Sequence, residues 1–164
     1  MKKILFLSIF FLFGCKAEEK EQVSLPKGEQ EIERFHIVET RWGRKSFELS
    51  AKLLEERKDT TWVFDFSVDF FDEKGNKVST LVADSGVIFK KTGDMIALGN
   101  VKVETEDGTL LYTDELLWKE DIKKITTEKE VIIKKEGKVL KGKGLISDPG
   151  LKHIEIKGKV LGHE

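Results

Sequence analysis

Apolar residues recur in one phase along the second half of this chain. Leu81, Leu111 and Leu140 stand 30 and 29 residues apart, Met95, Ile125 and Ile154 take the same steps, and so do Val101, Val131 and Val160. Asp84 and Asp114 match at 30. Three apolar classes in one register mark residues 78–162 as three imperfect repeats, each supplying two or more strands. Units this small cannot bury an apolar face alone, so they must stack on one another.

The strand character shows best in "TWVFDFSVDFFD", Thr61 to Asp72. Trp62, Phe64, Phe66, Val68 and Phe70 occupy every second position, with Asp65, Ser67 and Asp69 between them. A period of two predicts a half-buried strand with those five side chains on one face, whereas helical spacing would scatter them. "SFELSA" puts Phe47, Leu49 and Ala51 on one face, and "VKVETEDG" does the same for Val101 and Val103. Breaks fall at Gly75-Asn76, Thr92-Gly93-Asp94, Asp107-Gly108, Glu136-Gly137 and Asp148-Pro149-Gly150, all residues with turn chemistry. "AKLLEERK", Ala51 to Lys58, has helical propensity but continues a strand pattern without an N-cap, so it reads as strand end and loop, with a short helix as the alternative.

The N-terminus is of another kind. Lys2 and Lys3 precede an apolar run from Ile4 to Phe13, broken by Ser8 and shorter than the roughly 20 residues needed to cross a bilayer core. It suits a secretory signal. Leu12-Phe13-Gly14-Cys15 resembles the lipobox of bacterial lipoproteins, which implies cleavage after residue 14 and an acylated Cys15 as lipid anchor; a short uncleaved anchor is the alternative. Cys15 is the sole cysteine, so no intramolecular disulfide can form. The expected organisation is a signal over 1–14, a polar tether over 15–30 and one domain over 31–164.

Nothing in the domain has the pattern of reaction chemistry. His36, His153 and His163 lack partners at metal-ligand spacing, "GKGL" at Gly142 to Leu145 is not a phosphate loop, and no nucleophile elbow is present. No cofactor is expected. A net charge of −1 with 36% charged residues leaves no basic footprint for nucleic acid. From Lys129 to Lys159 nine lysines face only Glu130, Glu136, Asp148 and Glu155. That excess suits either lipid phosphates or edge strands that discourage wrong pairing.

Several stretches in order carry a resemblance: "ETRWGRKSFELSAKLLEE" at Glu39 to Glu56, "STLVADSGVIF" at Ser79 to Phe89, "DMIALGNVKVETEDGTLLYTDELLW" at Asp94 to Trp118, and "KITTEKEVII" at Lys124 to Ile133. Together with the anchor and tether they resemble the LptC family, the membrane-tethered periplasmic component of the lipopolysaccharide export bridge. The resemblance implies an all-β fold, a twisted and partly open β-jellyroll of the LptA-like kind, whose interior carries the acyl chains of lipopolysaccharide. Implied partners are the transporter subunits LptF and LptG with the ATPase LptB behind them, the bridge protein LptA, and the inner membrane through the N-terminus. Lys16 after the cysteine departs from that location, since under the enterobacterial sorting rule it directs a lipoprotein to the outer membrane.

On this reading the groove is lined by Trp62, Phe64, Phe66, Val68, Phe70, Leu81, Met95, Val101, Val103, Leu111, Ile125, Val131 and Ile133. Partner contacts are expected on an N-terminal strand around Phe35 to Ala51, with Phe47 and Leu49, and on a C-terminal strand Ile154 to Leu161, with Ile154, Ile156 and Val160. Gly142 marks a close backbone approach there. The alternatives are an LptA-like soluble bridge component and a structural or carbohydrate-binding β-sandwich lipoprotein with a solid core.

Overall fold

The structure, a computed structural model, describes residues 30–163. The signal, Cys15 and nearly all of the tether lie outside the described residues. Ten strands follow in chain order: β1 (Gln30–Arg41), β2 (Arg44–Glu56), β3 (Thr60–Phe71), β4 (Lys77–Phe89), β5 (Met95–Thr105), β6 (Leu110–Lys119), β7 (Lys124–Lys135), β8 (Lys138–Ser147), β9 (Ile154–Ile156) and β10 (Leu161–His163). They form one antiparallel sheet in the order β1-β2-β3-β4-β5-β6-β7-β8-β10, with β9 also on β8. The segment 51–58 is strand end and loop, and no helix is found among the described residues.

Turn chemistry sets the meander. At the β3–β4 turn the Asp72 carboxylate accepts the Lys74 and Asn76 backbone N–H groups, each at 2.9 Å, while Gly75 adopts φ +84°. The β1–β2 turn was not anticipated. Trp42 (φ 52°) and Gly43 (φ 75°) make a two-residue hairpin tip with both residues left-handed, which suits the twist of the flanking strands. The expected N-terminal strand through Phe35 and Ala51 is therefore two strands, of which only β1 is an edge; β2 is paired on both sides. The C-terminal strand is likewise divided, because Lys157 and Gly158 turn their N–H groups to the Gly144 and Lys143 carbonyls between β9 and β10.

A crease crosses the whole sheet at mid-strand. Arg34, Asp65, Gly99, Asn100 and Gly144 all take positive φ, and the ladders shift register at Val82/Ser85, Leu98/Val101, Thr113/Leu117 and Thr127/Glu130. The inward alternation changes phase there. In β3 the buried positions run Thr61, Val63, then Phe66, Val68, Phe70, and in β6 they run Leu111, Thr113, then Leu116, Trp118. In β5 the extra residue of the Gly99-Asn100 bulge absorbs the change, so Ala97 and Val101 stay on one parity.

Bent along this crease, the sheet doubles over. The Phe70 and Trp118 rings meet at 5.4 Å, and the Ser79 hydroxyl donates to the Pro149 carbonyl at 2.7 Å across 70 residues of chain. One apolar cluster runs from Leu49 in β2 to Leu145 in β8. Fully burying each such aliphatic side chain contributes about 1.5–3 kcal/mol.

Candidate functional site

The crease explains the "LGN" of the sequence. A Cβ at Gly99 would stand 2.6 Å from Asp84 Oδ2, so neither a side chain nor its steric limits are tolerated. Asn100, the residue type that enters the left-handed region most readily after glycine, donates from Nδ2 to that same carboxylate oxygen at 2.7 Å. Asp84 thus ties β4 to the β5 bulge, and Asp114, its repeat mate, is exposed at the corresponding break in β6.

Most of the predicted lining is brought together. Phe66, Val68, Phe70, Leu81, Val101, Val103, Leu111, Ile125, Val131 and Ile133 all belong to the buried cluster, Leu111 at 0% exposure, and Met95 packs against it half-buried. Trp62 and Phe64 do not belong to it. The left-handed Asp65 breaks the alternation that placed them with Phe66, so Val63 takes the interior position. Trp62 lies instead beneath the Arg57 guanidinium, 4.6 Å from its ring. Leu54, Val63, Val87, Ala97, Leu116, Trp118, Leu145 and Leu151 are core residues that the alternation alone did not reveal. The signal that could have found Val63 and Leu116 is the Asp65 and Asp114 pair of polar positions, where the phase slips.

The proposed contact residues divide. Leu49 is fully buried in the core, because β2 is internal and turns this residue inward. Phe47, Ile154 and Ile156 are half-buried against the cluster, and Val160 is exposed. Gly142 does meet a close approach, but from a side chain: a Cβ there would stand 2.5 Å from Ile156 Cγ2.

Among the described residues the space found between the layers is small and does not run as an open passage. Between Leu49, Val68, Leu81, Ala97, Leu116 and Ile125 a gap of about 20 Å³ remains, room for a water molecule and no alkyl chain. At the rim, where the β1–β2 and β3–β4 turns of one layer face Trp118 and the 148–150 turn of the other, the fold opens into a cavity of about 770 Å³. That volume is within the range of pockets that hold small organic ligands. Its apolar wall is Phe47, Phe70, Phe71, Val78 and Trp118, and Phe70 and Trp118 also line the interior gap.

Charges ring this mouth. Asp72 and Asp148 face inward onto their own turns. Backbone and side-chain hydrogen bonds from Asn76, with the Lys74 N–H, hold the Asp72 carboxyl below its ordinary range. Burial pushes Asp148 up, but the N–H groups of Lys152 and His153 and the His153 ring outweigh it and the net shift is downward. Lys45 pairs with Glu48 at 2.8 Å, and Lys123 pairs with Glu120. Arg44 Nη1 donates to the Glu73 carbonyl at 2.6 Å. Among the described residues no group of three or more His, Cys, Asp or Glu could hold a metal ion, and no helix is long and apolar enough to cross a membrane.

A family model described as lipopolysaccharide-assembly, LptC-related, matches residues 4–164. The chain belongs to the LptC family. Membership makes it a component of lipopolysaccharide transport, as the ordered motifs led us to expect. No match was found among curated proteins. Among solved structures the chain is similar to LptH, the LptA homologous periplasmic component of the lipopolysaccharide transport device from Pseudomonas aeruginosa. Identity is 8% and the TM-score 0.39, over 84% of this chain and 94% of that one.

Proposed function

We propose that this LptC-family domain takes lipopolysaccharide acyl chains between its two layers, receiving the lipid from the inner-membrane transporter through LptF and LptG and passing it to LptA. The N-terminal segment, with Cys15 as lipid anchor, holds the domain at the periplasmic face of the inner membrane. The observation that carries this reading is the single apolar cluster that spans both layers and continues into an open mouth.

Because the interior is closed, an acyl chain enters only as the layers part. A chain of about 14 carbons gains on the order of 11 kcal/mol on leaving water, at about 0.8 kcal/mol per methylene. Parting the layers exposes a comparable apolar area, and the lipid leaving a bilayer was already dry. Uptake and release are therefore close to balanced, which is what a carrier that must hand its cargo onward requires. The free edge of β1 and the short β9 and β10 at the opposite side offer backbone groups for strand addition by the neighbours.

The filled interior is also the observation that favours the rival reading, a solid sandwich that binds at its rim. One experiment separates them. A photo-crosslinking residue at Phe66 or Val101, both interior, is expected to label lipopolysaccharide, and one at the exposed Val82 is not. Folded, well-expressed variants that stay unlabelled at both interior positions leave the solid sandwich standing.

A further inference from the structure

The two layers differ on their outer faces. One layer is made by the strand ends at 60–64, 85–89, 95–98 and 115–119, and its inward residues identify the outward ones, because successive side chains on a strand point to opposite faces. Met95 and Ala97 belong with the cluster between the layers, so Ile96 turns outward, and Leu116 and Trp118 do the same for Leu117. Gly86 meets the Phe66 ring inside and Ile88 packs on the cluster, which leaves Val87 outward. Trp62, Val87, Ile96 and Leu117 pair in one row across four strands, and Phe64 and Leu98 stand in the next row, across from Ser85. Val87 is only 7% exposed, yet among the described residues it is the one buried apolar side chain outside that cluster. On the other layer the outer face over β2–β5 carries Ser50, Ser67, Asp69, Thr80, Lys102 and Glu104, with Val82 singly among them. That layer follows the usual alternation of apolar inside and polar outside, and the first does not.

We infer that this apolar outer face rests on the surface of the lipid bilayer. The inference rests on the N-terminal anchor of the proposed function and adds to it an orientation, a second hold that decides which layer faces the membrane. Gln30, where the described chain begins, pairs with Glu56, and Glu56 pairs with Thr61 beside Trp62, so the tether leaves from the free end of this same layer. Residues 16–29 reach at most about 50 Å, which keeps the face near a membrane that holds Cys15 and raises its effective concentration there. Trp62 with the Arg57 guanidinium 4.6 Å over its ring is an apolar body under a charged tip, the combination that settles at a membrane–water boundary. The border carries both signs: Arg57 pairs with Glu55 at 3.0 Å and Lys90 with Glu56 at 3.7 Å, while Glu33 and Glu115 stand at the β1 and β6 sides. The hold is therefore apolar, so zwitterionic lipid suffices and salt has little effect on it. A second copy of the chain fits less well, since a row of four strands is only about 15 Å across and a stable dimer buries roughly 800 Å² on each partner.

The test reconstitutes the purified full-length chain into phosphatidylcholine vesicles, plain or brominated on the acyl chains, and reads tryptophan emission, which bromine quenches at close range. In a Trp42→Phe background the emitters are Trp62 and the buried Trp118, and adding Trp62→Phe leaves Trp118 alone to report any lipid between the layers. The expected result is quenching that disappears with Trp62→Phe and persists when salt is raised. Leu117→Asp and Ile96→Gln, both on the outer face, should abolish it while keeping the parent's far-ultraviolet circular dichroism spectrum. Vesicle flotation is measured first: a chain that does not float has no anchor, and this inference falls with it. A chain that floats with Trp62 unquenched, or equally quenched in both outer-face variants, overturns the docked face and leaves the anchor and the acyl-carrier reading standing. Trp62 unquenched in a chain that sediments as a dimer, split by Leu117→Asp, gives the face to a second copy instead.

Discussion

Replacing Gly99 with alanine tests the crease at its tightest point. Two costs can be worked from the structure. At φ +77° an L-residue is disfavoured relative to glycine by about 1–2 kcal/mol. The new methyl would also lie 2.6 Å from Asp84 Oδ2 and 3.2 Å from its Cβ and Cγ, so the carboxylate must turn away and give up the 2.7 Å bond from Asn100. An exposed hydrogen bond of this kind contributes about 0.5–1.5 kcal/mol. The sum is about 1.5–3.5 kcal/mol, or a fall of roughly 5–15 °C in the melting midpoint for a domain of this size. Thermal melts followed by far-ultraviolet circular dichroism read it directly. In an Asp84→Ala background, where that bond is already gone, Gly99→Ala should cost only the backbone part, about 1–2 kcal/mol, a difference that a double-mutant cycle isolates. An unchanged midpoint in Gly99→Ala would show that neither the left-handed backbone nor the carboxylate contact is needed, and the account of the crease would fail with it.

At the hairpin tip, Trp42→Asn should raise stability by up to about 1 kcal/mol, since asparagine accepts φ 52° and the tryptophan buries nothing; a lowered melting midpoint refutes this. Gly142→Ala should force Ile156 off β8, so that limited proteolysis cuts at Lys157 or Lys159 sooner than in the parent; equal cutting rates would mean the contact yields freely. Asp94 is held below its ordinary range by the Lys119 ammonium and the Glu120 N–H, so its contribution is present above its unfolded pKa near 3.9 and is lost as pH falls through the lower native value. Asp94→Asn should accordingly be less stable than the parent in denaturant at neutral pH, with the gap closing under strong acid; a gap that widens there has the opposite sign and refutes the assignment.

The meander was legible because its turns are written in residues with few other uses: Gly75-Asn76, Gly93, Asp107-Gly108, Glu136-Gly137 and Pro149-Gly150 all fall between strands. The second half of the apolar cluster was legible from the repeat, since Val101, Leu111, Ile125 and Val131 keep one phase and one environment. Trp62 and Phe64 were misread because the alternation of "TWVFDFSVDFF" is unbroken on paper. An aspartate in the left-handed region looks the same in sequence as an aspartate in an extended strand, and only the partner positions on neighbouring strands show that Asp65 sits on the crease. The Trp42-Gly43 turn escaped for a related reason: tryptophan is a poor turn former, and nothing local announces that it will take a positive φ. The rim cavity was out of reach altogether, as its walls, Phe71 and Pro149 among them, line one space only after the sheet has doubled over.

The crease also bears on how such a molecule yields. Across β1–β3 the pairing skips one position, and in the later ladders it slips register at the same height. Swinging the halves apart about that spine strains bends that already exist and leaves the strand-to-strand bonding on either side whole. On the acyl-carrier proposal the protein would gape like a book, every page still stitched to the next.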